Sequence, residues 1–200
     1  MKIEVGSADL LDLLVGTLVA VDLAKDADQA TQCINLVFAE GRLTATATDR
    51  YRLITGSLAV EGSDLSVMVH SSDVKQIITL LKEAIKTSHI PLATLELLED
   101  GRLAVVAGLR TFQAVPEVGH TFPPFEHLFA IPSQAQAEAH FNPLFMWDFN
   151  KVPHDEKGSY KLAKPRVSFV FKGEGKPAEV KIPHHSISWR ALLMPMRVAT

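Results

Sequence analysis

The feature that most constrains this fold is a threefold recurrence of one segment order along the 200 residues. "KIEVGSADLL" from Lys2, "SVMVHSSDVK" from Ser66 and "AEAHFNPLFM" from Ala137 each run from a strand-like stretch into a helix start. Ser7, Asp73 with Gln76 at capping-box spacing, and Asn142 followed by Pro143 supply the expected caps. A short polar side chain accepts from the first unpaired N–H groups, and the fixed φ of proline suits the first helical turn. Apolar residues then recur at helical spacing: Leu10, Leu11, Leu14 and Leu18; Val74, Ile77, Ile78, Leu81 and Ile85; Leu144, Phe145, Trp147 and Phe149. Each helix is followed by two β-like runs around a turn, in "INLVFAEGRLTATAT", "ATLELLEDGRLAVVA" and "VSFVFKGEGKPAEVK". Gly41, Gly101 and Gly175 supply the positive φ that such turns need. "RLITGSLAV", "RTFQAVPEV" and "ISWRALLMPM" close the units. The expected class is α+β: three strand-helix-three-strand units, with antiparallel sheets and helices on one face.

The formal charge of −3 gives no attraction of the whole molecule to nucleic acid, so any such contact needs a local basic surface. Cys33 is the only cysteine, which rules out an internal disulfide, a thiolate zinc cluster and a redox pair and fits a cytoplasmic setting. The apolar run at residues 13–21 is too short to span a bilayer and follows Glu4, Asp9 and Asp12 rather than a basic segment; no targeting sequence is read. His154, Asp155 and Glu156, and the pair His184 and His185, lack metal-ligand spacing, and adjacent histidines on a strand point to opposite faces. No nucleophile elbow or glycine-rich phosphate loop occurs. Neither catalysis, a metal nor a cofactor is expected.

The run "TATDRYRLI" resembles a strand of the bacterial sliding clamp, the ring-forming processivity subunit (beta) of DNA polymerase III, whose middle domain reads Thr-Asp-Gly-x-Arg-Leu there. "FPPFEHLFAIP" is similar to the Phe-Pro-x-aromatic segment that ends that domain, and "LLMPMRV" to the C-terminal Met-Pro-Met-Arg-Leu. The resemblance implies a DNA-clamp fold with one complete clamp-like domain over residues 1–130, similar to the middle domain, and a half domain over 131–200, similar to the second half of the C-terminal one. Where the family has glycine, this chain has Arg50, a bulky cation.

The resemblance further implies a groove where polymerases and repair proteins dock a short apolar peptide. Carried over by motif, its lining is Thr48, Arg50, Tyr51, Arg52, Leu53, Pro132, Met194, Pro195, Met196, Arg197 and Val198. The residue types suit that role. Methionines adapt to different partner side chains, prolines stiffen the walls, and Arg52 and Arg197 offer a grip on a carbonyl or carboxylate. An alternative stands beside it: Met194 and Met196 as core residues of a last strand, and Asp49 with Arg52 as a local ion pair.

A clamp also faces DNA. Lys75, Lys82 and Lys86 form one line on the second helix, with Lys151, Lys157, Lys161 and Lys164 beyond the third, although Asp9, Asp12 and Asp22 make the first helix acidic. The line reads either as a surface for double-stranded DNA without base readout or as a solvated face. The third unit has no internal mate, so it is expected to pair with the same unit of a second copy, giving a homo-oligomer, half ring or ring. Three functions follow: a processivity clamp or scaffold; a clamp-derived peptide-binding module or decoy that does not encircle DNA; and an unrelated protein whose motifs match by accident.

Overall fold

The computed structural model describes residues 2–24, 26–88, 91–132, 139–154 and 167–196. The first unit is β1 (Lys2–Gly6), α1 (Ser7–Leu18), β2 (Cys33–Ala39), β3 (Arg42–Thr48) and β4 (Arg52–Ala59). The second is β5 (Leu65–His70), α2 (Ser71–Thr87), β6 (Leu92–Leu97), β7 (Leu103–Ala107) and β8 (Arg110–Ala114), followed by a single turn, α3 (Glu126–Phe129). The third holds α4 (Pro143–Asp148), β9 (Ser168–Val170), β10 (Ala178–Lys181) and β11 (Ser188–Leu193). Its expected opening strand begins outside the described residues, at Ala137, and residues 139–141 are not strand.

Local chemistry explains the turns and corrects two caps. Gly41, Gly101 and Gly175 all carry positive φ, at 71°, 83° and 66°. Asn142 accepts from the Leu144 N–H at 2.9 Å, with Pro143 in the first turn. At α1, however, Gly6 is the cap and Ser7 is already helical, with a buried hydroxyl that has no hydrogen-bond partner among the described residues. At α2 the cap is His70, whose Nδ1 accepts from the Ser72 N–H, so the expected box of Asp73 and Gln76 is displaced by an imidazole three residues earlier.

The strands are antiparallel throughout and form two sheets, β1-β6-β7-β8 and β5-β2-β3-β4-β11-β10-β9. The first two units exchange their opening strands. β1 lies along β6 of the second unit, and β5 lies along β2 of the first. A second contact recurs in all three units, because each unit's exit folds back onto its own opening segment. Glu61 bridges Glu4, Glu117 bridges Met68, and Met196 donates its N–H to the His140 carbonyl at 2.7 Å.

One core runs through all three units. Leu10, Leu13 and Leu14 of α1 and Ile77 and Leu81 of α2 are buried with Ile34, Leu36 and Ile54 of the sheet, and Phe149, Val180 and Trp189 of the third unit join them. Trp189 is the wedge at that junction. A Cβ placed on Gly16 of α1 or Gly56 of β4 would come within 2.4 Å of its ring, so both positions need the absence of a side chain. Among the described residues no helix is long and apolar enough to cross a membrane.

Candidate partner-docking site

The motif "TDRYRL" forms the β3–β4 turn. The Asp49 carboxylate accepts from the N–H groups of Tyr51, at 3.0 Å, and Arg52, while the Thr48 hydroxyl accepts from the Arg50 N–H at 3.1 Å. This net holds Arg50 at φ 73°, a left-handed backbone that a side-chain-bearing residue rarely adopts. Arg50 and Tyr51 project outward, whereas Thr48, Asp49, Arg52 and Leu53 are buried.

The tail meets this turn through strand pairing. β11 runs antiparallel to β4 with Leu192 opposite Leu53 and Leu193 opposite Arg52. Past the strand, the Met194 N–H donates to the Tyr51 carbonyl at 2.8 Å. Residues 194–196 therefore bridge the Tyr51 turn and the His140 segment leading into α4. Met194 and Pro195 are half-buried, Met196 is 54% exposed and Tyr51 is 59% exposed. These methionines are not core residues of the last strand.

α4 forms the adjoining wall. The Phe145 ring stacks on Tyr51 with centroids 5.5 Å apart, and the Arg52 guanidinium sits 4.5 Å from the same ring. Arg52 also pairs with Asp49, at 2.7 Å, and with Asp148 of α4. The expectation that Arg52 grips a partner at the rim is thus corrected: it is buried between two carboxylates and an aromatic face, and it ties the turn to α4. Burial pushes the Asp148 carboxyl up, but the hydrogen bond from Lys151 and the charge and hydrogen bond of Arg52 outweigh it and hold the group below its ordinary value of 3.8.

Leu53 departs from its expected role in a different way. Its side chain lies with Leu192 under Phe129 of α3, flanked by Phe125 and Leu128, so its apolar area is already covered. α3 is strapped down. The Arg190 guanidinium lies 3.7 Å from the centre of the Phe129 ring, and the buried Lys172 donates to the Phe129 carbonyl at 2.8 Å while pairing with Glu179 at 3.4 Å. Pro132 is exposed just beyond. Thr48 donates its hydroxyl to the Arg52 carbonyl and adds no free wall. Arg197 and Val198 lie outside the described residues.

Tyr51 and Phe145 also line an open cavity of about 620 Å³, together with Val15, Leu18 and Leu23 and with Lys75 and Lys151. It was not expected. Phe145 and Asp148 both line it, whereas spacing alone places Phe145 on an ordinary apolar helix stripe and gives Asp148 no role. The clue available in sequence was Asn142-Pro143, which sets the helix start and so the face that Phe145 shares with Phe149.

The other expected residues have clear placements. Lys75, Lys82 and Lys86 are all exposed on α2, and Lys157, Lys161 and Lys164 lie outside the described residues. Cys33 is buried and its thiol is pushed up to about 11, first by burial and then by the charge of Glu117, so it is no thiolate nucleophile at neutral pH. His184 and His185 are not on a strand with opposed rings: they sit in the loop before β11, stacked 4.6 Å apart. His184 Nδ1 accepts from the Ile187 N–H and its Nε2 lies 3.4 Å from Asp12 of α1. Among the described residues no cluster of metal-ligating side chains occurs.

With this geometry the chain is similar to solved bacterial clamps over 99–100% of its length. A DNA polymerase sliding clamp from Pseudomonas aeruginosa superposes with a TM-score of 0.75 at 16% identity, with 67% of that chain covered. A putative DNA polymerase III beta subunit from Eubacterium rectale gives 0.79 at 10% identity and 66% coverage. The sliding clamp from Bacillus subtilis gives 0.77 at 15% identity and 65% coverage. No family model matches the sequence. No curated protein matches it either.

Proposed function

We propose that this chain, which has the fold of the bacterial DNA polymerase sliding clamps and spans about two thirds of their length, is a clamp-type scaffold that tethers DNA polymerases or repair factors to double-stranded DNA by docking a short apolar peptide. The observation that carries this reading is the β4–β11 pairing, which brings the Met194–Met196 tail to the carbonyl of Tyr51, the residue whose ring stacks on Phe145. The exposed Met196 and half-buried Met194, next to the exposed Tyr51 ring, are an adaptable apolar surface. Arg50 stands at its mouth and selects peptides with an acidic residue. The chemistry is holding rather than catalysis, and the cytoplasm, where DNA is open to such a scaffold, is its place.

Lys75, Lys82 and Lys86 supply phosphate attraction without base readout, the property a sliding contact requires. A second reading keeps the peptide surface without encirclement, and the acidic Asp9 and Asp12 of α1 favour it. The domain division at residues 130 and 131 belongs to the same proposal. The seven-stranded sheet crosses it, which couples the two parts.

A fluorescent peptide from the C-terminal tail of a replicative DNA polymerase tests the docking surface. We expect saturable binding that weakens at least tenfold in Met196→Ala and Tyr51→Ala; no binding, or binding untouched by both, counts against it. Retention on circular but not linearised DNA supports encirclement, and equal loss from both supports the free module.

A further inference from the structure

In the first two units every opening strand has two neighbours. One is its own unit's exit, at Glu61 for β1 and Glu117 for β5, and the other is the first meander strand of the mate, β6 or β2. α1 packs on α2 across the same junction. In the third unit the first kind of contact is present, since the exit residue Met196 bonds the His140 carbonyl. The second is not found among the described residues. β9, the counterpart of β2 and β6, ends the seven-stranded sheet, and among the described residues no strand lies along its outer edge.

The helix shows the same vacancy. No large apolar residue of α1 or α2 is among the strongly exposed ones, but on α4 Leu144 is 71% exposed and Trp147, one turn on, is 69% exposed. Phe171, just past β9, is also exposed and stacks on Phe141 at 5.7 Å. A bare sheet edge beside an apolar helix face is a surface that seeks a partner.

We propose that the occupant is the third unit of a second copy of this chain, related by a twofold axis. The first two units display the required geometry: each gives its opening segment to the other's meander and the helices meet. Two third units can repeat it because both the donated segment and the accepting edge are on the same unit, which makes the surface self-complementary. The segment at residues 139–141 extends toward the partner's β9, and Leu144 and Trp147 are covered by the pairing. This assembly stands on the strand exchange alone, so failure of peptide docking leaves it intact.

The test is the mass of the full chain in sedimentation equilibrium at micromolar concentration, together with hydrogen exchange at residues 168–170. We expect a two-chain mass or a multiple of it, with slow exchange in β9. Leu144→Glu with Trp147→Glu, at positions too exposed to unfold the unit, should halve the mass and speed exchange in β9 at least tenfold. Leu109→Glu, at a fully exposed apolar residue of the β7–β8 turn, should change neither. A single-chain mass for the parent, or an assembly unmoved by the double substitution, overturns the proposal.

Discussion

The first two units and the third share a segment order and differ in what completes them. Units one and two each finish the other's sheet, bury α1 against α2, and leave no large apolar side chain of either helix strongly exposed. The third has a six-residue helix with two bare apolar residues and a three-residue edge strand, and it is held to the rest by the β4–β11 seam and by Trp189. The same local pattern is thus completed by a mate in the first two units, whereas the third depends for its burial on the seam with β4, so it is expected to be the first to loosen. What unit three gains by that dependence is position: its tail lies against the Tyr51 turn.

The comparison breaks most sharply at Trp189. Truncation to alanine removes the ring that fills the space over Gly16 and Gly56, and we expect a loss of about 3–5 kcal/mol. Thermal unfolding followed by hydrogen exchange should show protection falling first in β9–β11 and last in β2, β3 and β7. Equal loss everywhere would mean that unit three is no more dependent than its siblings.

Arg52→Ala comes next. It leaves the buried Asp49 without its cation and Asp148 with Lys151 alone, at a cost of about 3 kcal/mol, the low end for a broken buried pair because Asp148 keeps that second cation and some contact with water. Denaturant unfolding checks the size, and loss of the Phe145–Tyr51 stack should accompany it as a weaker near-ultraviolet dichroism signal.

A smaller effect is set by pH. Because the folded-state pKa of Asp148 is depressed, its contribution is fully present above the ordinary value of 3.8 and is lost as pH falls below it through the folded value. Melting temperatures of the parent and of Asp148→Asn should converge as pH is lowered past the ordinary value of 3.8 and through the folded value below it. A gap that stays constant over that range would remove Asp148 from the junction.

The smallest effect belongs to Arg50. Its left-handed backbone costs about 1–2 kcal/mol, so Arg50→Gly should relieve strain, partly offset by the greater freedom of glycine in the unfolded chain, for a net gain under about 1 kcal/mol. The same substitution should weaken an acidic peptide more than a neutral one in a binding titration. A strained residue kept at an exposed turn is a pointer to function rather than to stability.

Much of this was legible in the residues. The hairpin glycines sit where the positive φ occurs, the helices follow their apolar spacing, and the two motifs at opposite ends of the chain meet in one seam. Periodicity stopped short at the contacts between units. Nothing local to "ISWRALL" tells that Trp189 will need glycines at 16 and 56, and nothing in "TDRYRL" tells that Asp148, far along the chain, will claim Arg52. Leu53 looks like an open wall in the sequence because its cover, Phe129, arrives from a turn with no sequence link to β4. Leu144 and Trp147 fit a buried stripe by spacing, yet both stand exposed, because spacing shows which face is apolar and not whether anything covers it.

The most direct test of the docking surface is a fluorescence anisotropy titration of the labelled polymerase-tail peptide against the parent, Met196→Ala and the remote control Leu109→Ala. Dissociation constants equal for parent and control but at least tenfold weaker for Met196→Ala are the expected result. Three indistinguishable curves would contradict a partner site formed where the chain's tail meets its early β-turn.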